Sequence, residues 1–528
     1  MAATKGKILY KVYRALSYGL SPFLYLHLRW RVLRGLEHPL RWPERLGRPS
    51  HARPPGPLLW FHAVSLGLFS ITIPFSFSRQ RNSESTILRC AGESLATIPI
   101  IKQCILRRPD LNILMTTTTY SAFQVVKNCL PTGVIYQFAP LDTAAAIETF
   151  IAHWKPKVII LMESELWPNL ILGASQHGKV KFGIDVCDFY IRPYSLQITM
   201  ALLNARMSAT SFKHWSIPVF IPLISLMLSK FSLILPLSNL QAIRFQLLQA
   251  PPPIISFAGD LKFAVEDIGM SVAEIKKVED LRAQLAQRQV WMASSIHRGE
   301  EEVILEVHKM LLEAHPSLVT IIVPRHPLHG KEIALVAQEM QKEGQNVALR
   351  SQGENITSGT NVYVVDTLGE LRYLYGITSI AVVGGSFLPG LAGHNISEAA
   401  AAGCAVLTGP YIAHFSSMVA KMQQFNPMSV LQLIQVHGKL DLAEALRILL
   451  GDDKILEAHR LAAKHAQQAL ACGIIVGTWN SLDSNVLRSA FGVDDIHKCS
   501  DCWPHMKIAS LVIFAHVRMP ELSIQQLR

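Results

Sequence analysis

The chain has 528 residues, half of them hydrophobic, which is enough for a large core and too long for one ordinary domain. Its net charge of +11 is uneven, because residues 1–53 carry eleven Lys and Arg against two acids, Glu37 and Glu44. No nucleic-acid-binding module is visible, and the eight scattered cysteines form no disulfide framework, which points to a reducing compartment.

The basic arm interleaves its charges with Leu, Tyr and Trp, a composition suited to an anionic membrane surface. Ile8 to Leu28 is apolar, but Lys11 and Arg14 interrupt it. It reads as an interfacial or single-pass anchor, with an arginine-rich organelle presequence as the competing reading. Leu58 to Val64 is the first expected strand. Leu68 to Ala91 then breaks the pattern, before Gly92-Glu93-Ser94 opens a helix. Strands are expected at Asn112 to Met115, Gly133 to Phe138 and Lys157 to Met162, each followed by polar residues. Lys181 to Thr199 is a second break. Ser216 to Ser238 reads as a packed or membrane-facing helix, and Pro251-Pro252-Pro253 as a stiff linker.

The alternation then repeats. Val290 to Ala293, Leu318 to Val323, Val362 to Val365 and Ile380 to Val383 are expected strands. The last runs into Gly384-Gly385-Ser386 and then into a short alanine-rich helix around Glu398. Strand, glycine loop and helix N-terminus are the parts that hold a phosphate, because backbone N–H groups and the helix dipole point at the anion. Asn395 and Glu398, three apart, also fit a capping box, and the stretch lacks the GxGxxG of dinucleotide sites. Strands alternating with helices imply α/β architecture with parallel, doubly wound sheets. From Ile474 the pattern weakens, and Cys499-x-x-Cys502 in that tail is a weak zinc pattern.

Taken together, WFHAVSLG with GES, TTTT, PLD, ESELWPN, NARMS, GDLKF, ASSIHRGEEE, PRHP, VDTLGEL, GGSF and GHNISEAAAAG resemble the Kdo transferases of lipid A biosynthesis. The resemblance runs from about residue 57 to about residue 472. It implies a GT-B glycosyltransferase fold, two Rossmann-like domains facing across a cleft. The implied activity is inverting, metal-independent transfer of Kdo from CMP-Kdo to a lipid A precursor at a membrane surface, with no cofactor. The expected division is an arm over 1–50, an acceptor domain over 51–255, a CMP-sugar domain over 256–473 and a divergent tail over 474–528.

The resemblance also implies roles. The family's HAVSxGE loop carries the general base, so Glu93 takes that role here, kept ionised by a helix N-terminus. Arg325 and His326 match the loop that meets the nucleotide phosphate. Thr367, Leu368 and Gly369 match the loop bordering the nucleotide, and Gly384, Gly385 and Ser386 the phosphate-side loop. Asn395 and Glu398 are expected near phosphate and ribose. Ser94, Glu163, Glu165, Asn169 and Arg206 are expected to contact acceptor or Kdo.

The chain departs from the family pattern at 68–91, at 181–199 and in the tail. These breaks point to a eukaryotic, plant-like splice isoform, mitochondrial and membrane-associated; a bacterial chain would sit on the cytoplasmic face of the inner membrane. The alternative function is an impaired isoform that binds nucleotide sugar at a membrane without turnover. A nucleotide-sugar epimerase on the same fold is disfavoured by ESELWPN, NARMS and the membrane-directed arm.

Overall fold

Six short apolar runs build the first sheet: β1 (Leu58–His62), β2 (Asn112–Thr117), β3 (Ile135–Phe138), β4 (Val158–Met162), β5 (Thr199–Ala205) and β6 (Leu233–Pro236). All pair in parallel, in the order β3-β2-β1-β4-β5-β6. Nearly every residue in them is buried, as helices on both faces of a parallel sheet require. The computed structural model describes residues 2–63, 94–177, 198–264, 272–285, 288–326, 329, 332–333, 346–367, 369–433 and 438–492. Glu93, Leu368, the break over 68–91, nearly all of that over 181–199 and the Cys499-x-x-Cys502 pattern lie outside these residues.

The second sheet has seven parallel strands: β7 (Val290–Ile296), β8 (Val319–Pro324), β9 (Asn346–Leu349), β10 (Thr360–Val364), β11 (Ile380–Val383), β12 (Ala405–Thr408) and β13 (Leu431–Gln432). Their order is β13-β12-β11-β7-β8-β10-β9. In each sheet the chain fills one side of its first strand and then returns to the other side; in the second sheet β10 enters between β8 and β9 before the return. The reversals fall between β1 and β4 and between β7 and β11, and crevices at such reversals are where open α/β sheets bind ligands. This is the GT-B architecture.

Three expectations change. The apolar stretch Ser216 to Ser238 is not one helix but a short helix, Ile221–Leu228, followed by β6. Pro222 sits in the first turn of the helix and Pro236 ends the strand, the two positions where proline costs least. Secondly, helix Asp453–Leu482 continues past Ile474, where the divergent tail was expected to begin. Ile474, Trp479 and Leu482 are buried, and Arg107 of helix Ile98–Arg107 stacks over the Trp479 ring at 5.3 Å. This helix therefore starts on the second half and ends against the first.

Thirdly, the basic arm is folded onto the first domain as helices α1 (Ala2–Gly19) and α2 (Ser21–Leu33). Asp142 explains the docking. Its carboxylate caps helix α3 (Pro168–Gln176) by accepting from the N–H groups of Asn169 (3.2 Å) and Leu170 (2.8 Å), and it accepts the Tyr13 hydroxyl at 2.9 Å. Tyr18 donates to Glu148 at 2.9 Å, and Arg14 pairs with the same carboxylate. No helix among the described residues is long and apolar enough to cross a membrane.

Candidate functional site

The two crevices carry most of the polar residues singled out in the sequence. On the first sheet, Glu163 follows β4 directly, is buried, and takes a left-handed backbone at φ 57°. Asn204, near the end of β5, does the same at φ 54°, where the β5–β6 register shifts. Strained backbone and bulges at strand ends aim side chains in directions a regular strand does not allow. Asn204 donates to Asp260 (2.9 Å) and accepts from the Leu261 N–H (2.9 Å), and Lys262 forms an ion pair with Glu163. The GDLKF segment thus reaches back into the first crevice. Burial, reinforced by the Glu163 charge, pushes the Glu165 carboxyl up to about 8. At neutral pH this places a protonated acid beside an ion-paired carboxylate.

Other predicted contacts on this half are placed differently. Arg206 is exposed and free of side-chain partners among the described residues, as an anion contact requires. Ser94 is buried, and its hydroxyl has no hydrogen-bond partner among the described residues. Asn169, by contrast, donates to the Asp142 carbonyl (2.7 Å) and the Ser17 hydroxyl (3.1 Å). Its amide nitrogen locks α1 to α3.

On the second sheet, the loops after β7 and β11 meet. Helix α4 (Glu300–Leu312) follows β7, and Glu300, its first residue, is fully buried. One carboxylate oxygen accepts from the N–H groups of Ser386 and Phe387 (both 2.9 Å); the other accepts from those of Gly385 (2.7 Å) and His297 (2.8 Å). Here the structure corrects the reading of Gly384, Gly385 and Ser386 as an open amide cradle for phosphate. Two of these amides, with that of Phe387, already hold an internal anion. The Ser386 hydroxyl is also engaged, donating to the Val383 carbonyl at 2.7 Å and accepting from the Gly409 N–H at 2.9 Å.

What the loop presents instead is a pair of imidazoles. His394 and His297 approach through their Nε2 atoms at 2.7 Å, with rings stacked 14° from parallel. The His394 ring lies where a side chain on residue 385 would stand: a Cβ there would meet His394 Cδ2 at 2.6 Å, and φ is +68°. Only glycine fits. Burial, and then the nearby Arg325 charge, pull His394 down to about 3; burial also lowers His297. The pair is therefore neutral at pH 7, so one ring donates from Nε2 and the other accepts. The accepting ring then carries its proton on Nδ1, where it is a donor.

Arg325, half-buried at the end of β8, and the exposed His326 adjoin this pair, and the His326 and His329 rings lie 5.7 Å apart. The result is a guanidinium among several imidazoles at the β7–β11 reversal. Glu398 lies in the short helix Ser397–Ala401, makes no side-chain hydrogen bond among the described residues, and is raised by burial against the pull of Arg372. Asn395 accepts from the Ser397 N–H (3.0 Å) and hydroxyl (2.7 Å), closing a turn just ahead of the helix in place of the expected capping box and leaving Glu398 unused. The Thr367 hydroxyl donates to Glu370 at 2.7 Å, within a network that also holds Arg350, while Gly369 is exposed in a left-handed turn. Thr367 thus shapes the loop bordering the site with its side chain turned inward.

Sequence reasoning quoted the motifs but passed over His297, Glu300 and His394. A glutamate directly after the left-handed Gly299, opposite a glycine-rich strand end, was the available signal for Glu300. Among the described residues no group of three or more His, Cys, Asp or Glu could hold a metal ion.

The family profile and the curated relatives agree on one family. The family profile described as 3-deoxy-D-manno-octulosonic-acid transferase (kdotransferase) matches residues 75–265. The chain is 54% identical over 484 residues to the probable mitochondrial 3-deoxy-D-manno-octulosonic acid transferase of Arabidopsis thaliana, covering 92% of this chain and 97% of that one. It is 32% identical to the 3-deoxy-D-manno-octulosonic acid transferase of Haemophilus influenzae, over 66% of this chain and 73% of that one. Among solved structures, a glycosyltransferase from Rickettsia africae superposes with a TM-score of 0.50 at 10% identity, covering 82% of this chain and 99% of that one, which speaks to fold alone.

Proposed function

Since the chain belongs to the Kdo transferase family of glycosyltransferases, we propose that it transfers Kdo from CMP-Kdo to a lipid A precursor, with inversion and without a metal. The second crevice takes the donor. The observation that carries this reading is the cluster of Arg325, His326, His297 and His394 at the β7–β11 reversal, which offers charge and N–H donors to an anion. Glu398, half-buried and unused, accepts ribose hydroxyls. The first crevice takes the acceptor, with Arg206 meeting its negative charge and Glu165 donating to a sugar hydroxyl.

Glu93 acts as general base. It removes the proton of the acceptor hydroxyl, whose oxygen bonds to the anomeric carbon of Kdo from the face opposite the nucleotide. The bond from that carbon to the phosphate oxygen breaks, and CMP leaves with the electron pair. Arg325 and the imidazole donors stabilise the charge that develops on the leaving phosphate.

The exposed apolar residues of α1 and α2, flanked by Lys5, Lys7, Lys11, Arg29 and Arg34, support a membrane-surface location. The Arabidopsis relative supports the mitochondrion. Nothing in the comparisons favours the impaired, non-transferring reading.

The test is transfer from labelled CMP-Kdo to a tetraacylated lipid A precursor, with a chelator present. Wild type transfers, and Glu93→Ala loses roughly 100-fold to 10,000-fold in kcat, the range for a missing general base. Unchanged turnover in Glu93→Ala removes the base assignment, and dependence on added metal removes the metal-free mechanism.

A further inference from the structure

The three consecutive amides of Gly385, Ser386 and Phe387 converge on one point, as a phosphate-binding loop's would, yet the anion there belongs to the chain itself. Glu300 is fully buried. Its neighbours Glu301 and Glu302 reach solvent to differing degrees. A buried carboxylate is costly unless several donors compensate it, and four backbone N–H groups do so here.

These four donors come from both sides of the β7–β11 reversal. The His297 amide belongs to the loop after β7, the other three to the loop after β11. The consequence reaches His394 through the backbone. Glu300 holds the Gly385 N–H, the Gly385 carbonyl accepts from the Gly393 N–H at 2.7 Å, and His394 is the next residue. The His394 ring returns to stack on His297, whose own amide Glu300 holds. One carboxylate therefore fixes both backbones that carry the imidazole pair.

We propose that Glu300 is a positioning residue for donor binding: an internal anion that closes the amide cluster and sets the His297–His394 pair toward the nucleotide phosphate. The proposal rests on the reading of this crevice as the donor site. It differs from a direct cradle in what the amides do. They organise the loop, and the side chains of His297, His394 and Arg325 meet the ligand.

The amide cluster supplies the test, because removing the carboxylate leaves a cavity that a small free carboxylate fits. CMP binding to the full chain is measured by calorimetry for wild type, Glu300→Ala and Glu300→Gln, each with and without acetate, alongside thermal midpoints. Glu300→Ala should weaken CMP by about tenfold or more. Acetate should recover much of that loss while leaving wild type unchanged. Glu300→Gln fills the cavity and turns an N–H₂ toward the amides, so it should stay weak with acetate present. Glu300→Ala binding CMP within about twofold of wild type overturns the proposal. So does acetate that restores the thermal midpoint without restoring CMP binding, since the role is then stability alone. If Glu300→Ala does not fold, Glu300→Gln decides, and wild-type CMP affinity in that variant overturns it. A wild-type chain without CMP affinity overturns the donor-site reading itself, and is told apart because it needs no variant.

Discussion

Glu165 shows what a strand end does to a single acid. It sits two residues beyond Glu163 in the first crevice, and burial raises its carboxyl from an ordinary 4.5 to about 8. The folded chain therefore keeps a proton that the unfolded chain releases across that interval. Stability falls as pH rises through it, because the unfolded state binds fewer protons there. Glu165→Gln stays neutral and should lose this slope. Thermal midpoints measured from about pH 5 to about pH 9 should fall more steeply for wild type, with a gap on the order of a few kcal/mol at the alkaline end. Parallel curves would mean that Glu165 ionises freely in the fold. The sequence placed Glu163 and Glu165 beyond their strand, because an apolar run followed by polar residues is visible in one dimension, whereas the strand that ends before Arg206 was not expected. It could not tell which polar side chains turn inward. Asn169, Thr367 and Ser386 stand at similar positions, and all three spend their side chains on the chain's own backbone or carboxylates. The deciding partner of Asn169, Asp142, lies far away in sequence, whereas Thr367 and Ser386 turn to Glu370 and Val383 nearby, in loops whose shape only the fold sets.

The two N-terminal helices carry two separate interfaces on opposite faces. One is docked on the first domain, through the buried Tyr10 and the hydrogen bonds of Tyr13 and Ser17 to Asp142 and Asn169. The other is apolar and exposed: Ile8, Val12, Leu16, Leu20, Phe23, Leu26, Trp30 and Leu33 follow one another at three- and four-residue steps, and Leu33 is 85% exposed. That spacing keeps them on one side of a helix. Composition alone flagged the basic arm but left anchor and presequence open, since both share it. The polar face that docks onto Asp142 was hidden because its partners lie over a hundred residues away. A variant carrying Leu16→Ser, Phe23→Ser and Trp30→Ser removes apolar area only from the exposed side. Each buried side chain contributes about 1.5–3 kcal/mol on transfer out of water. Co-sedimentation with vesicles containing anionic lipid should therefore drop by about tenfold or more, while the thermal midpoint stays put. Undiminished sedimentation would assign membrane contact to another surface; a fallen midpoint would show that these residues belong to the core.

Two elements join the halves of the molecule: the segment around Gly259 to Phe263 and helix Asp453–Leu482. They touch each other, for Gln467 donates to the Phe263 carbonyl at 2.9 Å and a Cβ on residue 259 would meet Ile474 Cγ1 at 2.8 Å. The next residues, Asp260 to Lys262, are those that reach Asn204 and Glu163 in the first crevice. The GDLKF motif was legible as a motif, and its position after the prolines as a linker. Its work as a joint was not legible, because the helix that closes over it runs past 473, where the domain was expected to end. Gly259 also has φ +109°, which side chains rarely adopt. Gly259→Ala thus suffers two separate penalties, backbone strain of about 1–3 kcal/mol and overpacking of a similar size. Ile474→Val removes Cδ1, at 3.4 Å, and keeps Cγ1, so it eases only part of the second penalty, and the double variant should regain part of the lost thermal stability and not all. The Lys262–Glu163 contact depends on the same joint, so transfer activity should follow the same order: wild type, double variant, Gly259→Ala. Full recovery in the double variant would mean that the backbone at 259 is unstrained. Equal activity in all three would mean that the joint holds the halves together without setting the chemistry between them.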